Sequence, residues 1–247
     1  MIYITGDTHR DFTRFNSRNM KRFETTTKDD YVIICGDFGG VWTGDKDDEY
    51  WLDWLESKSF TTLFVDGNHE NFNKLYSYPV KEWNGGTVHV IREHVLHLMR
   101  GQVFNIDGKS FFTFGGAASH DVDDGILELT DPEFRSKKHW LDLTGGMYRI
   151  KDVSWWIQEM PSESEYYTAI SNLKVVNWEV DYVLTHCMPT GVQKVINETF
   201  ESDELTDFLD GISKKLMFKH WFGGHYHKDM GVGQNYSLLY KDILGIV

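Results

Sequence analysis

Five short stretches of this chain combine carboxylate, carboxamide and imidazole side chains, most of them beside glycine. They are Asp7-Thr8-His9, Gly36-Asp37, Gly67-Asn68-His69-Glu70, His186 and Gly224-His225-Tyr226-His227. Asp7 and His9 are two residues apart, as are His225 and His227, so on extended backbone each pair points the same way. Together the stretches offer two aspartates, one asparagine and five histidines. This donor set suits a metal and exceeds what one ion would use while leaving room for a substrate. Two ions sharing a carboxylate would use it. Such a pair activates water and holds both substrate oxygens of an in-line displacement. Mixed nitrogen and oxygen donors suit manganese, iron, zinc or similar ions better than calcium.

The donors need a scaffold, and the apolar pattern supplies one. Ile2–Thr5, Tyr31–Cys35, Thr61–Val65, Tyr182–Thr185 and residues 220–222 are short apolar runs, each ending at a donor stretch. In an open α/β sheet, strand ends share a rim where ligands bind. Helix-period segments lie between the runs. Tyr50, Trp51, Trp54 and Leu55 share one face, as do Leu205, Phe208, Leu209, Ile212 and Leu216. Ser162 with Glu165 suggests a capping box for a helix through about Val176, and residues 11–23 suggest another helix. Asp107-Gly108 between apolar runs 103–106 and 110–114 signals a hairpin. The expected fold class is α/β, with these five runs in a central sheet. Residues 88–114 and 236–247 should form a second, more antiparallel sheet packed on it. No repeat or linker divides the chain, so one domain over residues 1–247 is expected, with an insertion at about 119–165. Within it, His120, Asp121, Asp123 and Asp124 read first as an acidic solvated loop and second as an edge of the substrate cleft, and Trp155-Trp156 read as core packing.

Composition narrows the function. Twenty-five Lys and Arg against 38 Asp and Glu give a net charge of −13, which disfavours a general electrostatic grip on nucleic acid. The 40% hydrophobic content excludes a disordered chain. Two cysteines, Cys35 and Cys187, make no disulfide framework and read as small buried strand residues. There is no apolar run of about 18 residues, and the N-terminus has no signal-peptide pattern, so a cytoplasmic protein without a membrane partner is expected.

The five stretches, in order and across nearly the whole chain, resemble the calcineurin-like metallophosphoesterases, marked by D-x-H, G-D, G-N-H-[DE], a lone His and G-H-x-H. The resemblance implies a two-sheet β-sandwich flanked by helices, a four-layer α/β/β/α arrangement. It implies one divalent ion on Asp7, His9, Asp37 and His227, and a second on Asp37, Asn68, His186 and His225, with Asp37 bridging. Manganese is the first expectation for both. A hydroxide between the ions would attack phosphorus, Asn68 would also touch substrate, and His69 would protonate the leaving oxygen or bond the phosphoryl group. A small phosphorylated substrate, for a phosphomonoesterase or small-substrate phosphodiesterase, is expected, and a phosphoprotein also fits. A nucleic-acid phosphodiesterase and a non-catalytic binding module of the same fold are the rival readings.

The resemblance has a gap. Many members continue the second block to an Asp and an Arg, and here those positions are Gly40 and Val41. The partner that orients His69 is therefore open, with Asp11, Asp45 and Asp66 as candidates. For the phosphate clamp, Arg10 is the first choice because a guanidinium holds phosphate through two hydrogen bonds.

Overall fold

The computed structural model describes residues 1–16 and 21–246. The strands of the first half are β1 (Ile2–Thr5), β2 (Tyr31–Cys35), β3 (Thr61–Val65), β4 (Val80–Trp83), β5 (Gly86–Arg92), β6 (Val95–Leu98), β7 (Gln102–Ile106) and β8 (Lys109–Phe114). Those of the second half are β9 (Ile126–Leu127), β10 (Arg149–Ile150), β11 (Tyr182–Thr185), β12 (His220–Gly223), β13 (Met230–Val232), β14 (Tyr236–Leu238) and β15 (Ile243–Ile246). The helices are α1 (Lys46–Glu56), α2 (Phe72–Leu75), α3 (Phe134–Thr144), α4 (Glu163–Val175), α5 (Thr190–Ile196) and α6 (Glu204–Ser213).

Two large mixed sheets result. The first runs β15-β1-β2-β3-β6-β5-β4 and the second β13-β14-β12-β11-β8-β7. Alternation within each strand divides its side chains between two cores. Ile2, Ile4, Ile33, Cys35, Leu63 and Val65 face the second sheet's Phe111, Leu184 and Phe222. Their neighbours Tyr3, Val32, Ile34 and Phe64 turn outward, under Leu52 and Leu55 of α1. On the far side Phe112, Phe114, Val183 and Trp221 pack against Ala169 and Leu173 of α4 and Leu205, Leu209 and Ile212 of α6. The layers are α/β/β/α. Strands covered on both faces read as unbroken apolar runs, which is why the pattern located them.

The sheet assignment differs from the expectation. β11 and β12 belong to the second sheet, not beside β1 to β3. β5 and β6 extend the first sheet, whereas the β7–β8 hairpin edges the second, with Asp107 at φ 50° and Gly108 at φ 72° in its turn. The second sheet is parallel through β8, β11, β12 and β14 rather than mainly antiparallel. Runs buried on both faces look alike whichever partner they pair with, so pairing is invisible locally.

Two local expectations shift, and a third holds. In α1, Leu55 is buried and Trp51 and Trp54 pack against the same core as expected, but Tyr50 is 61% exposed and the fully buried Leu52 joins that face instead. The N-terminal part of residues 11–23 forms a single 3-10 turn, Phe12–Phe15, capped by Asp11; residues 17–20 of that expected helix lie outside the described residues. Another 3-10 turn, Lys21–Thr25, follows. Helix α4 does start after Ser162, whose N–H donates to the Glu165 carboxylate at 2.7 Å. Among the described residues, no helix is long and apolar enough to cross a membrane.

Asp66, at the end of β3, anchors the layer below the donor stretches. Its Oδ2 accepts from Arg100 Nε at 2.8 Å, and Nη2 of the same guanidinium also bonds it. Its Oδ1 lies 3.0 Å from His97 Nε2, and all three side chains are at most 2% exposed. Burial opposes ionisation of Asp66, but Arg100 and His97 outweigh it and hold the carboxyl below its ordinary 3.8. Its contribution is therefore present above pH about 4 and is lost as pH falls toward the folded-state value. Asp66→Asn strands the buried guanidinium and should cost about 3–5 kcal/mol in urea unfolding at pH 7. The deficit relative to the unsubstituted protein should shrink below pH about 4.

Candidate metal centre

The carboxyl ends of β1, β2 and β3 meet those of β11 and β12 along one edge of the sandwich, and every donor stretch sits there. The loop after β1 is tied to the loop after β2 by Thr8 and His9 N–H groups donating to the Asp37 carbonyl at 3.2 and 2.8 Å. The loop after β12 is tied to β1 by His225 N–H donating to Asp7 Oδ1 at 2.9 Å. His69 N–H donates to Asp37 Oδ1 at 2.8 Å, and Phe38 N–H to Glu70 Oε1 at 2.7 Å. Each donor stretch thus fixes the backbone of another.

Two groups of side chains form around Asp37. Asp7, His9, Asp37 and His227 each offer a ligand atom, all within 4.8 Å of one another. In this group His9 Nε2 and His227 Nε2 face each other at 3.0 Å, and His227 Nε2 lies 3.1 Å from Asp7 Oδ2. On the other side of Asp37, His186 Nε2 lies 3.4 Å from Asp37 Oδ1 and 3.3 Å from Asn68 Oδ1. The His225 ring is centred 5.0 Å from that of His186. His186 Nδ1 donates to the Cys35 carbonyl at 2.8 Å, which turns Nε2 to the ligand group. Asp7 and His186 form a fully buried floor, while His9 and His227 are 36% and 51% exposed at the mouth. Converging imidazole and carboxylate atoms fit a cation in the group of Asp7, His9, Asp37 and His227, and no thiolate takes part in it.

The electrostatics agree. Burial disfavours the Asp37 carboxylate, yet His186, His69 and His9 hold it well below the usual range. Burial likewise disfavours the His186 cation, but Asp37 and Asp7 raise it to about 10. A metal taking the Nε2 lone pair must displace that proton. His225 is lowered to about 3, first by burial and then by His186, so its lone pair is free for a ligand bond.

The backbone carries strain at the same place. His9, Asp37, His225 and His227 all have positive φ, at 43°, 49°, 69° and 49°. Each such residue costs on the order of 1–3 kcal/mol, and such strain concentrates at functional sites. Glycine is required where ligand side chains lie against the chain. A Cβ on Gly67 would sit 2.1 Å from Asp37 Oδ1, and one on Gly224 would sit 2.1 Å from Asp7 Oδ1.

The remaining sequence candidates are placed as follows. Arg10 donates from Nε to the Gly39 carbonyl at 3.1 Å and pairs with Asp48, bracing the loop that Asp48 also caps through Trp42 and Gly44 N–H groups. Val41 is buried in the core under α1. Asp11 and Asp45 cap helices and Asp66 serves Arg100 and His97, so all three are committed elsewhere. Cys35 and Cys187 are buried free thiols, and Trp156 is core, edge-on to Trp42. The loop after β8 is exposed at His120, Asp123 and Asp124 and also takes the second expected position, at the edge of the cleft. Ser119, His120 and Asp123 line a cleft of about 620 Å³ together with Asp37, His69 and His227. Asp121 bonds Arg149 Nε at 2.9 Å, and the Arg149 charge is felt at His69. Nothing local in the sequence links Asp121 to Arg149, 28 residues away. A second cavity, of about 760 Å³, borders His97, Arg100 and the start of α4, and no proposed ligand lines it.

The sandwich and its edge of carboxylates and imidazoles define a metal-binding α/β protein with an open cleft beside the donors. The sequence profile described as calcineurin-like phosphoesterase matches residues 1–229, and the chain belongs to that family. Metal-dependent phosphoester hydrolysis is the chemistry the family brings to this cluster. Comparison with curated proteins gave no match.

Gly67→Ala forces Asp37 aside without removing a ligand atom. The variant should bind divalent ions at least tenfold more weakly while keeping its far-ultraviolet circular dichroism, as metal analysis after dialysis would show.

Proposed function

We propose that this protein hydrolyses small phosphate esters with a pair of divalent ions, manganese first among them. The observation that carries the reading is the placement of Asp37. Its Oδ2 lies 3.6 Å from His9 Nε2 and its Oδ1 3.4 Å from His186 Nε2, so one carboxylate addresses both ligand groups. Asp7, His9 and His227 would complete one group, and Asn68, His186 and His225 the other. Bound ions would supply charge neutralisation at the phosphoryl oxygens and a water activated near neutral pH.

The rest of the chemistry falls to the chain. His69 lines the cleft and is tied through its N–H to Asp37, which suits it to protonate the departing alkoxide. Burial lowers its pKa and Asp37 opposes the shift, which makes the imidazolium a readier donor. For the phosphate clamp two guanidiniums compete. Arg10 has Nε and Nη2 engaged by Gly39 and Asp48. Arg149 is held by Asp121 through Nε and Nη2, and its charge acts on both His69 and Glu159, which favours it over Arg10. The cleft volume of about 620 Å³ suits a small molecule, and the net charge of −13 disfavours an extended polyanion.

Asp37→Asn should lose turnover and metal together, tested with chromogenic mono- and diesters in added manganese. Two tightly held ions and full turnover in that variant would sink the proposal. His69→Ala should keep both ions yet lose about 10²-fold or more in kcat on an alkyl phosphate. Its loss on an activated aryl phosphate should be far smaller, and equal losses would remove the acid role.

A further inference from the structure

Asn68 is the only proposed ligand whose side chain ends in a donor and an acceptor on the same carbon. Turning the amide over would present NH2, which has no lone pair for a metal, in place of oxygen. The residues that set its orientation come from the stretch of sequence that resembles an insertion. Asn68 Nδ2 donates to Ser119 Oγ at 3.2 Å, and Ser119 Oγ donates to Glu159 Oε2 at 2.7 Å. A hydroxyl has one hydrogen. Burial raises the Glu159 pKa to about 7, and above that pH the hydrogen goes to its carboxylate, so Ser119 offers Asn68 only lone pairs, which only Nδ2 can use. Oδ1 is then left toward His186 Nε2, at 3.3 Å.

Glu159 is itself immobilised. It is 1% exposed, and its Oε1 accepts from Trp156 N–H at 3.4 Å, with the Trp156 ring in the core under α1. The turn that carries it is held by Arg100 Nη2, which donates to the Gln158 carbonyl at 2.7 Å. Arg100 is in turn anchored on Asp66, one residue before the Gly67-Asn68 turn. Both ends of the chain of bonds therefore rest on the same buried network.

We propose that Ser119 and Glu159 are a positioning pair that holds the Asn68 carboxamide with its oxygen toward the second metal position. The stretch from 119 to 159 is then a working part of the centre. The inference rests on the two-ion reading above.

The test is calorimetric manganese titration of the full chain after chelation, alongside urea unfolding. The unsubstituted protein should take up two ions. Ser119→Ala should weaken one of them about tenfold or more and leave the other unchanged. Ser119→Cys, which keeps the volume with a poorer donor, should show the same selective loss. Ser119→Thr, which keeps the hydroxyl, should restore it. The decisive comparison is the Asn68→Asp background. A carboxylate has two equivalent oxygens and needs no orienting, so Ser119→Ala added there should cost no metal affinity. A brace that only supports the fold would weaken both ions or cost the same in both backgrounds, and either result overturns the pair. Two ions bound with unchanged affinity in Ser119→Ala would also overturn it while leaving the metal reading intact. Fewer than two ions in the unsubstituted protein would remove that reading and the pair with it.

Discussion

Two carboxylates, Asp7 and Asp37, lie buried where the two sheets meet, and the surrounding structure answers to them. A buried carboxylate is tolerable only when cations and N–H groups surround it. Here they come from every direction: the His225 and His69 N–H groups, the His9, His186 and His227 rings. The arrangement costs backbone strain at His9, Asp37, His225 and His227, and it tolerates no side chain at Gly67 or Gly224. A divalent ion satisfies the same demand with more charge than imidazolium protons can.

The sandwich makes such a site possible. The parallel strands β1 to β3 and β8, β11 and β12 are covered on both faces, so their only open features are their ends. Donors delivered by two different sheets can surround a point, whereas those of one sheet would lie along a line. This geometry gives Asp37 an imidazole beside each of its oxygens, His9 on one and His186 on the other.

Segment 119–159 adds what the motif blocks lack. Gly40 is buried and Val41 is part of the core, and Arg10 and Asp48 brace the loop there. Beside Asp37, Arg149 acts on His69 while held by Asp121, and Asn68 is bonded by Ser119, which is itself bonded to Glu159. His120 and Asp123 of the acidic loop after β8 line the cleft together with Asp37, His69 and His227.

The ligand candidates, the apolar runs and the faces of α6 were legible in the sequence because each rests on residue type and short spacing. Asp7 and His9 need only an extended strand to point together, and a run such as Tyr31–Cys35 is apolar whatever it pairs with. For the same reason Tyr182–Thr185 gave no sign that it sits in the other sheet. The commitment of Arg10 to Asp48, the Asp121–Arg149 pair and the Ser119–Glu159 contact join residues 28 to 40 positions apart, which no local pattern encodes. The chain by itself determined which atoms could bind metal, since that is a matter of lone pairs and their order along strands. Tertiary structure alone decided which carboxylate stands between His9 and His186 and which polar side chains bond the donor stretches, since hydrogen bonds depend on distances that only packing sets.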